Sequence, residues 1–485
     1  MVAHGLASDG VRLRPPFPGW RHVICLLMFF VGLICYADRT NIGLVLAQTD
    51  LPGIPRSERG NILSAFFIGY LFTQIPGGVL ARRFGSKPTL LLAVAIWTTC
   101  DVLTPFAASL GLGPLILDRI GMGLGEGMLY PSQHTLSAFW VPKPERAFLI
   151  VFMTSGQDAG SVLANVVTPR LLEAGTWCVF AGWGSLAMIW CVAYAGLAAS
   201  APESHGPCTR SGEAEWIQAH RGAKHLELSR RERETPCPAR LLRQPCVWAI
   251  FMGHVGVNYS WYVLLSWMPT FFKGVFDLDL ATSPEFLSGP YLAGWVGALI
   301  AGRVSDMLVA SGIRTRRVRK GMQVFGALGN TLLLQLAVRS ESATEAALWM
   351  SVAAFVGKMQ QAGFWVNMMD VCPETAGTLL ALSNTIATIP GIVGQPITQA
   401  ILSQSGGDHS QAAWSVVFGV GGAVAVFAAA VFAALGDDVP LETLGGVGGA
   451  SGSAAESAEE TVEMPPSEVG SSVDGSDLRA PIRVH

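Results

Sequence analysis

This sequence carries little charge. Asp, Glu, Lys and Arg make up 14% of its 485 residues, apolar residues make up 51%, and the mean hydropathy is +0.42. An average soluble domain is about a quarter charged, so an ordinary water-soluble surface is excluded. The charges nearly cancel, to a net −3. That leaves no basic excess, and nucleic acid is not an expected partner. Metal-ligand spacing is missing too. Six of the nine cysteines lie in apolar runs as small hydrophobes, and Cys208, Cys237 and Cys246 lack the paired spacing of a zinc site. No cleavable signal peptide is visible, because the first apolar run is too long for one. No nucleophile–base constellation stands at either end of the apolar runs, so neither an enzyme nor a cofactor is expected.

What is abundant is the long apolar run. Twelve stretches have the roughly 20 residues needed to cross about 30 Å of hydrocarbon as helix. They are 20–47, 60–81, 88–109, 111–139, 147–172, 177–200, 245–273, 284–311, 318–339, 343–369, 373–404 and 411–435. The predicted fold is an all-α polytopic membrane protein, with twelve spans in two six-helix halves around a central cavity. Its expected parts are an N-terminus (1–19), a first half (20–200), a linker (201–244), a second half (245–436) and a Gly/Ser/Glu/Pro-rich tail (437–485). The tail cannot bury a core and reads as disordered. The linker reads as solvated, with one amphipathic helix at most. Lys and Arg gather in alternate loops: Arg82, Arg83 and Lys87, then Lys143 and Arg146, the linker, and Arg314 to Lys320. This bias predicts both termini on the cytoplasmic side. Which membrane is not legible.

Charges inside the spans then stand out, because each costs several kcal/mol at bilayer depth. Asp38 and Arg39 interrupt the first run, and Arg119 and Glu126 the fourth. Helix rise puts the two arginines at a similar depth, roughly 10–12 Å in, where two guanidiniums make a clamp for an anion. Glu126 follows Arg119 by seven residues. It shares that helix face about 10 Å deeper, placed to carry a proton. Asp38 points about 100° away from Arg39. The alternative is that these four only pair with one another, as intramembrane charges do. Asp158 and Lys358 lie near mid-depth: Lys358 either adds potential for a multiply charged anion or is neutralised by Asp158. His134 and His254 are further candidates, each with a simple hydrogen bond as the alternative. Gly121, Gly123, Gly125 and Gly127 read as close helix packing. Asn258-Tyr259-Ser260 fits a glycosylation pattern, but inside a span it is silent.

Repetition sharpens the picture. "GGVLARRFGSK" from Gly77 closes the second span and "GRVSDM" from Gly302 closes the eighth, a device repeated in both halves. It resembles the inner-loop pattern of the major facilitator superfamily. Arg82 stands where the first copy usually has Asp, and Asp306 keeps the acid in the second; Arg83 and Asp306 are the implied gate residues. "YADRTNIG", "SAFFIGYLFTQIPGG", "DRIGMGLGEGMLYPSQH", "NYSWYVLLSWMPTFF" and "GFWVNMMDVCPETAG…NTIATIPGIVGQP" resemble, in this order, the superfamily's anion:cation symporter family. Its members include bacterial sugar-acid symporters, sialin, plant organellar phosphate transporters and vesicular anion carriers.

That resemblance implies secondary transport of small organic or inorganic anions by alternating access. Arg39 and Arg119 would hold substrate, Asp38 and Glu126 would couple protons, and Tyr70, Gln157, Asn367 and Asn384 would line a polar cavity. Asp158 and Lys358 do not fit the family pattern. Leu63 and Val257 replace a His and an Arg of the vesicular glutamate carriers, which weakens a glutamate reading. "SWMPTFF" is similar to the plant phosphate members, and Asp38 favours proton coupling. Sodium or membrane potential as driver, a channel, and a non-transporting receptor or scaffold are the alternatives. The expected partners are a small anion and the lipid bilayer, and the expected state is a monomer.

Overall fold

The computed structural model describes residues 18–221, 241–372 and 376–439. Most of the expected N-terminus and tail, and the centre of the linker, lie outside the described residues. The first half is built from α1 (Trp20–Gln48), α2 (Arg59–Phe84), α3 (Ser86–Leu110), α4 (Leu112–Glu126), α5 (Leu129–Trp140), α6 (Arg146–Glu173) and α7 (Thr176–Leu197). Two short helices follow, α8 (Gly206–Arg210) and α9 (Glu213–Arg221). The second half holds α10 (Pro245–Phe276), α11 (Pro284–Ala310), α12 (Thr315–Val338), α13 (Ala343–Gly357), α14 (Val366–Val371), α15 (Ala376–Ile386), α16 (Ile389–Gln404) and α17 (Gln411–Leu435).

Seven of these helices are individually long and apolar enough to cross a membrane. α6 and α10 are as long, at 28 and 32 residues. The other three spans are each broken once, a detail the apolar runs did not reveal. α4 gives way to α5 at Gly127–Met128. α13 meets α14 through Lys358 and a π-helical turn at Gln361–Trp365. α15 stops before Pro390, which opens α16 because its ring and missing N–H suit a first turn. Gly85 and Gly111 adopt φ 95° and 112° at the reversals between α2, α3 and α4. That region is open to glycine and strained for side chains.

Glycine also sets how closely the helices approach. A methyl on Gly123 of α4 would strike the carbonyl of Phe66 on α2, and one on Gly69 of α2 would strike that of Ile120. Gly156 and Gly160 of α6 lie equally tight on the carbonyls of Phe29 and Leu33 of α1. Small residues let backbones meet where lipid offers no hydrophobic drive.

The start of α1, α8–α9 and the end of α17 share one end of the bundle, the termini face. There the linker departs from the solvated reading. The Glu213 carboxylate of α9 is buried, accepts from the backbone N–H groups of Trp20 and Arg21, and pairs with Arg21 Nη1 at 2.7 Å. Glu145 takes Arg21 Nε at 2.6 Å. Two carboxylates thus hold one buried guanidinium, one of them, Glu213, also caps the start of α1, and Trp216 of α9 lies 4.9 Å beneath the guanidinium.

At the opposite end, the far face, the halves meet. Arg59 Nη1 pairs with Asp408 at 2.9 Å, Ser64 Oγ donates to the Ile392 carbonyl at 2.7 Å, and Gly60 lies against Gln395 and Pro396. Deeper in, Phe67 packs on Tyr262 with ring centroids 4.5 Å apart. Gln74 accepts from Asn384 at 2.5 Å and donates to Thr388 at 2.7 Å.

Candidate functional site

Arg39 and Arg119 line one small cavity between the halves, with Ile42, Leu63, Phe66, Phe67, Leu265 and Ser266. Its volume is about 20 Å³, room for a water molecule and far too little for a sugar acid.

Arg39 is not free to clamp. Its Nε lies 2.5 Å from Glu126 Oε2, and the Cys35 thiol donates to the same oxygen at 3.1 Å. The expected solitary Glu126 is therefore the partner of Arg39. The two are 0% and 6% exposed. A buried charge left alone costs far more than a pair, so these two helices neutralise each other. The Arg39 guanidinium also stands 4.6 Å from the ring centre of Tyr70, 4.9 Å from Phe66 and 5.1 Å from Tyr36. Aromatic faces stabilise a cation without consuming its N–H donors.

Arg119 differs. It is 1% exposed, and its Nε and Nη1 have no hydrogen-bond partner. Asp38 and Asp101 are each 0% exposed, and all four of their carboxylate oxygens lack a partner. Asp101, Glu126 and Arg119 are the charges acting on Asp38, Asp101 most strongly. Arg119 acts on Asp101 in turn. Asp118, half-buried, accepts from Thr104 at 2.8 Å.

The remaining expected residues scatter. Tyr70 stays beside Arg39, and Asn384 joins Gln74 across the halves. Gln157 lies on α6 with its backbone against Gly32 of α1. Asn367 is brought to neither arginine; its amide donates to the Asp437 carbonyl at 2.8 Å and ties α14 to the chain after α17 on the termini face. His254 lies 2.9 Å from Ser383 Oγ, stacked on Phe364 and edge-on to Trp365. His134 is exposed on α5. Lys358 Nζ sits 4.9 Å from the ring centre of Trp261. Asp158 feels the Lys358 charge without forming an ion pair among the described residues. Of the implied gate residues, Arg83 lies over its neighbour Phe84 and Asp306 is exposed.

Sequence reasoning missed Asp101, Cys35, Tyr36, Tyr262, Gln74 and Thr388. Asp101 carried the same signal as Asp38, an acid within an apolar run. The others look unremarkable until helix packing brings Cys35 to Glu126, Tyr36 to Arg39, and Tyr262, Gln74 and Thr388 to the contact between the halves.

Residues 28–395 match the sequence model described as the Major Facilitator Superfamily. The chain is 36% identical over 391 residues to "Probable anion transporter 4, chloroplastic" of Oryza sativa subsp. japonica, covering 80% of this chain and 65% of that protein. It is 34% identical over 414 residues to "Ascorbate transporter, chloroplastic" of Arabidopsis thaliana, covering 84% of this chain and 75% of the relative. The fold is similar to a crystal structure of a bacterial homolog to the human lysosomal transporter Spinster, with TM-score 0.67 and 17% identity over 86% of this chain and 97% of that one.

Proposed function

Because the chain belongs to the major facilitator superfamily and, within it, to the anion:cation symporter family, we propose that this multi-pass membrane protein moves a small anion by proton-coupled symport and does no chemistry on it. The observation that carries this reading is the pair of buried guanidiniums, Arg39 and Arg119, lining one cavity between the halves. Relatives named for anions and for ascorbate support an anionic cargo.

The Arg39–Glu126 pair supplies the coupling. Protonating Glu126 removes its charge, and the planar fork of Arg39 is freed for a carboxylate or phosphate. A proton and an anion then enter together, and the site stays near neutral in both states. The cavity is too small for such a cargo, so loading requires the halves to part. The Lys/Arg bias supports a cytoplasmic termini face. On that assignment, the Arg59–Asp408 contact closes the outer side.

Uptake into proteoliposomes tests the reading. Labelled ascorbate, phosphate, a sugar acid, sialic acid and glutamate are each offered with and without an inward proton gradient. Accumulation of one anion driven by the gradient, and lost in Arg39→Gln, is the expected result. Uptake that follows sodium or voltage and ignores the proton gradient removes the proton role of Glu126 and keeps the arginine site.

A further inference from the structure

We propose that Cys35 of α1 is a positioning residue of the coupling site: its thiol holds the Glu126 carboxyl in place when Arg39 leaves that carboxyl for the anion. The use of this contact in transport rests on the symport reading above; the contact itself does not. As a small hydrophobe, Cys35 would need no polar partner. It is 0% exposed, yet its Sγ lies 3.1 Å from Glu126 Oε2 and donates to it. Cys35 and Arg39 stand about one turn apart on α1 and so share a helix face. Both reach the same carboxylate oxygen, because Arg39 Nε is 2.5 Å from Oε2. Glu126 Oε1 and Arg39 Nη2 are buried and have no partner. One oxygen carries two donors and the other carries none. Oε1 is therefore the oxygen open to a proton, and Nη2 is the donor open to an anion.

The two donors on Oε2 differ in what protonation does to them. Arg39 is held by charge, and a proton on Oε1 makes the carboxylate neutral. The Nε–H bond to Oε2 then breaks, and the guanidinium N–H groups bond the incoming anion, which carries the charge that Glu126 lost. The thiol is uncharged. It can donate to an ionised carboxylate and equally to the remaining carbonyl oxygen of the protonated acid. Its bond to Oε2 outlasts the exchange, and the carboxyl stays seated against α1 for the return of Arg39. A thiol is also a weak acceptor, so it does not draw Arg39 Nη2 away from the anion. Without it, the resting site still has the Arg39 donor on Oε2, but the loaded site leaves that buried oxygen with none. The cost of removing the thiol therefore falls on the loaded state.

The S–H stretching band of Cys35 tests this without a cargo, because it lies clear of other protein vibrations and falls in frequency when the thiol donates a hydrogen bond. Infrared spectra of the purified full-length protein are compared with those of the same protein carrying Cys35→Ala, which isolates this band from the other cysteines. The band should sit low in the wild type and stay low in Arg39→Gln, which leaves Glu126 without its guanidinium as in the loaded carrier. It should rise to the position of a free thiol in Glu126→Ala, or in Arg39→Gln/Glu126→Ala if the single variant fails to fold. A free-thiol band in the wild type or in Arg39→Gln overturns the proposal, and so does a band that stays low once Glu126 is replaced by alanine. For the labelled anion that accumulates in the uptake screen above, Cys35→Ala should raise KM about tenfold with little change in maximal rate. Cys35→Ser, which keeps a donor, should restore it. An unchanged KM in Cys35→Ala, or an equal rise in Cys35→Ser, would assign the cysteine to packing and overturn its positioning role. If the band behaves as stated while uptake of every anion ignores the proton gradient, the thiol's hold on Glu126 stands and the symport reading falls.

Discussion

Arg39 of α1 and Glu126 of α4 form one buried unit, with Nε and Oε2 2.5 Å apart and three aromatic rings around the guanidinium. The group best placed to bind an anion is already bound to the carboxylate best placed to accept a proton. In the proposed symport, competition for a single guanidinium would link the two events, and no signal would have to travel between distant sites.

Arg39→Gln should therefore do two separable things. It removes the anion's partner, and it strands Glu126 as a lone buried carboxyl, a cost of about 3–5 kcal/mol. The double variant Arg39→Gln/Glu126→Gln is neutral in both places. It should recover thermal stability towards the wild type while uptake stays down by more than about a hundredfold, the equivalent of about 3 kcal/mol. Melting curves and uptake on the same preparations check this, and recovery of uptake by the double variant would sink the clamp.

Glu126→Gln mimics a permanently protonated carrier. Accumulation driven by a proton gradient should fall to the level of passive equilibration, while exchange of internal for external anion continues. Counterflow and gradient-driven uptake, measured side by side, tell the two apart. Equal loss of both would mean that the carboxylate serves binding and not coupling.

The spans were legible because bilayer thickness demands runs of about 20 apolar residues, and any charge inside them is conspicuous. Asp38, Arg39, Arg119 and Glu126 surfaced that way. Which of them touch was not legible. The depth estimate put Glu126 some two turns below the arginines, and it ignored the reach of an Arg39 side chain coming from another helix. Asn367 was carried over from a family motif, but the break after Gly357 and the π turn at Gln361–Trp365 lead into an α14 where it binds the chain after α17. The folded start of the linker was hidden because Glu213 and Arg21 are 192 residues apart, and nothing local announces their pairing.

Lys358 invites a specificity test. Its ammonium rests over Trp261 and makes no ion pair with Asp158, so its field remains available in the second half. Lys358→Gln should raise the KM for a doubly charged anion by roughly tenfold, about 1.4 kcal/mol, and change that for a singly charged one much less. Equal effects on both would assign the lysine to packing. Transport assays with a mono- and a dianionic cargo decide.

The Arg21 anchor should make stability depend on pH. Its hydrogen bond holds the Glu145 carboxyl below the usual glutamate range. A lowered folded value means stability that is present above the unfolded value, about 4.3, and is lost as pH falls through the folded one. The wild type should lose melting temperature more steeply than Glu145→Gln below about pH 4, and the two should run parallel near neutrality apart from a constant offset. Glu213→Gln, which weakens a buried partner of the same guanidinium, should cost about 1–3 kcal/mol near neutral pH.

The far-face contact between Arg59 and Asp408 should act as a brake on opening in the proposed transport cycle. Arg59 is buried, Asp408 is partly exposed, and the other acid nearby, Asp50, is 3.9 Å from the guanidinium. A partly exposed pair contributes about 1 kcal/mol or less, so Asp408→Asn should shift the closed-to-open ratio by up to about fivefold. Spin labels at Asn61 on α2 and Ser403 on α16, both exposed, span this contact. Their distance distribution should gain a longer component in Asp408→Asn, and Arg59→Gln/Asp408→Asn should look the same, because the lost attraction and not a stranded charge drives the shift. An unchanged distribution in both would locate the closure in the Gly60 and Ser64 packing against α16, and the ion pair would then be a consequence of the closed state instead of a contributor to it.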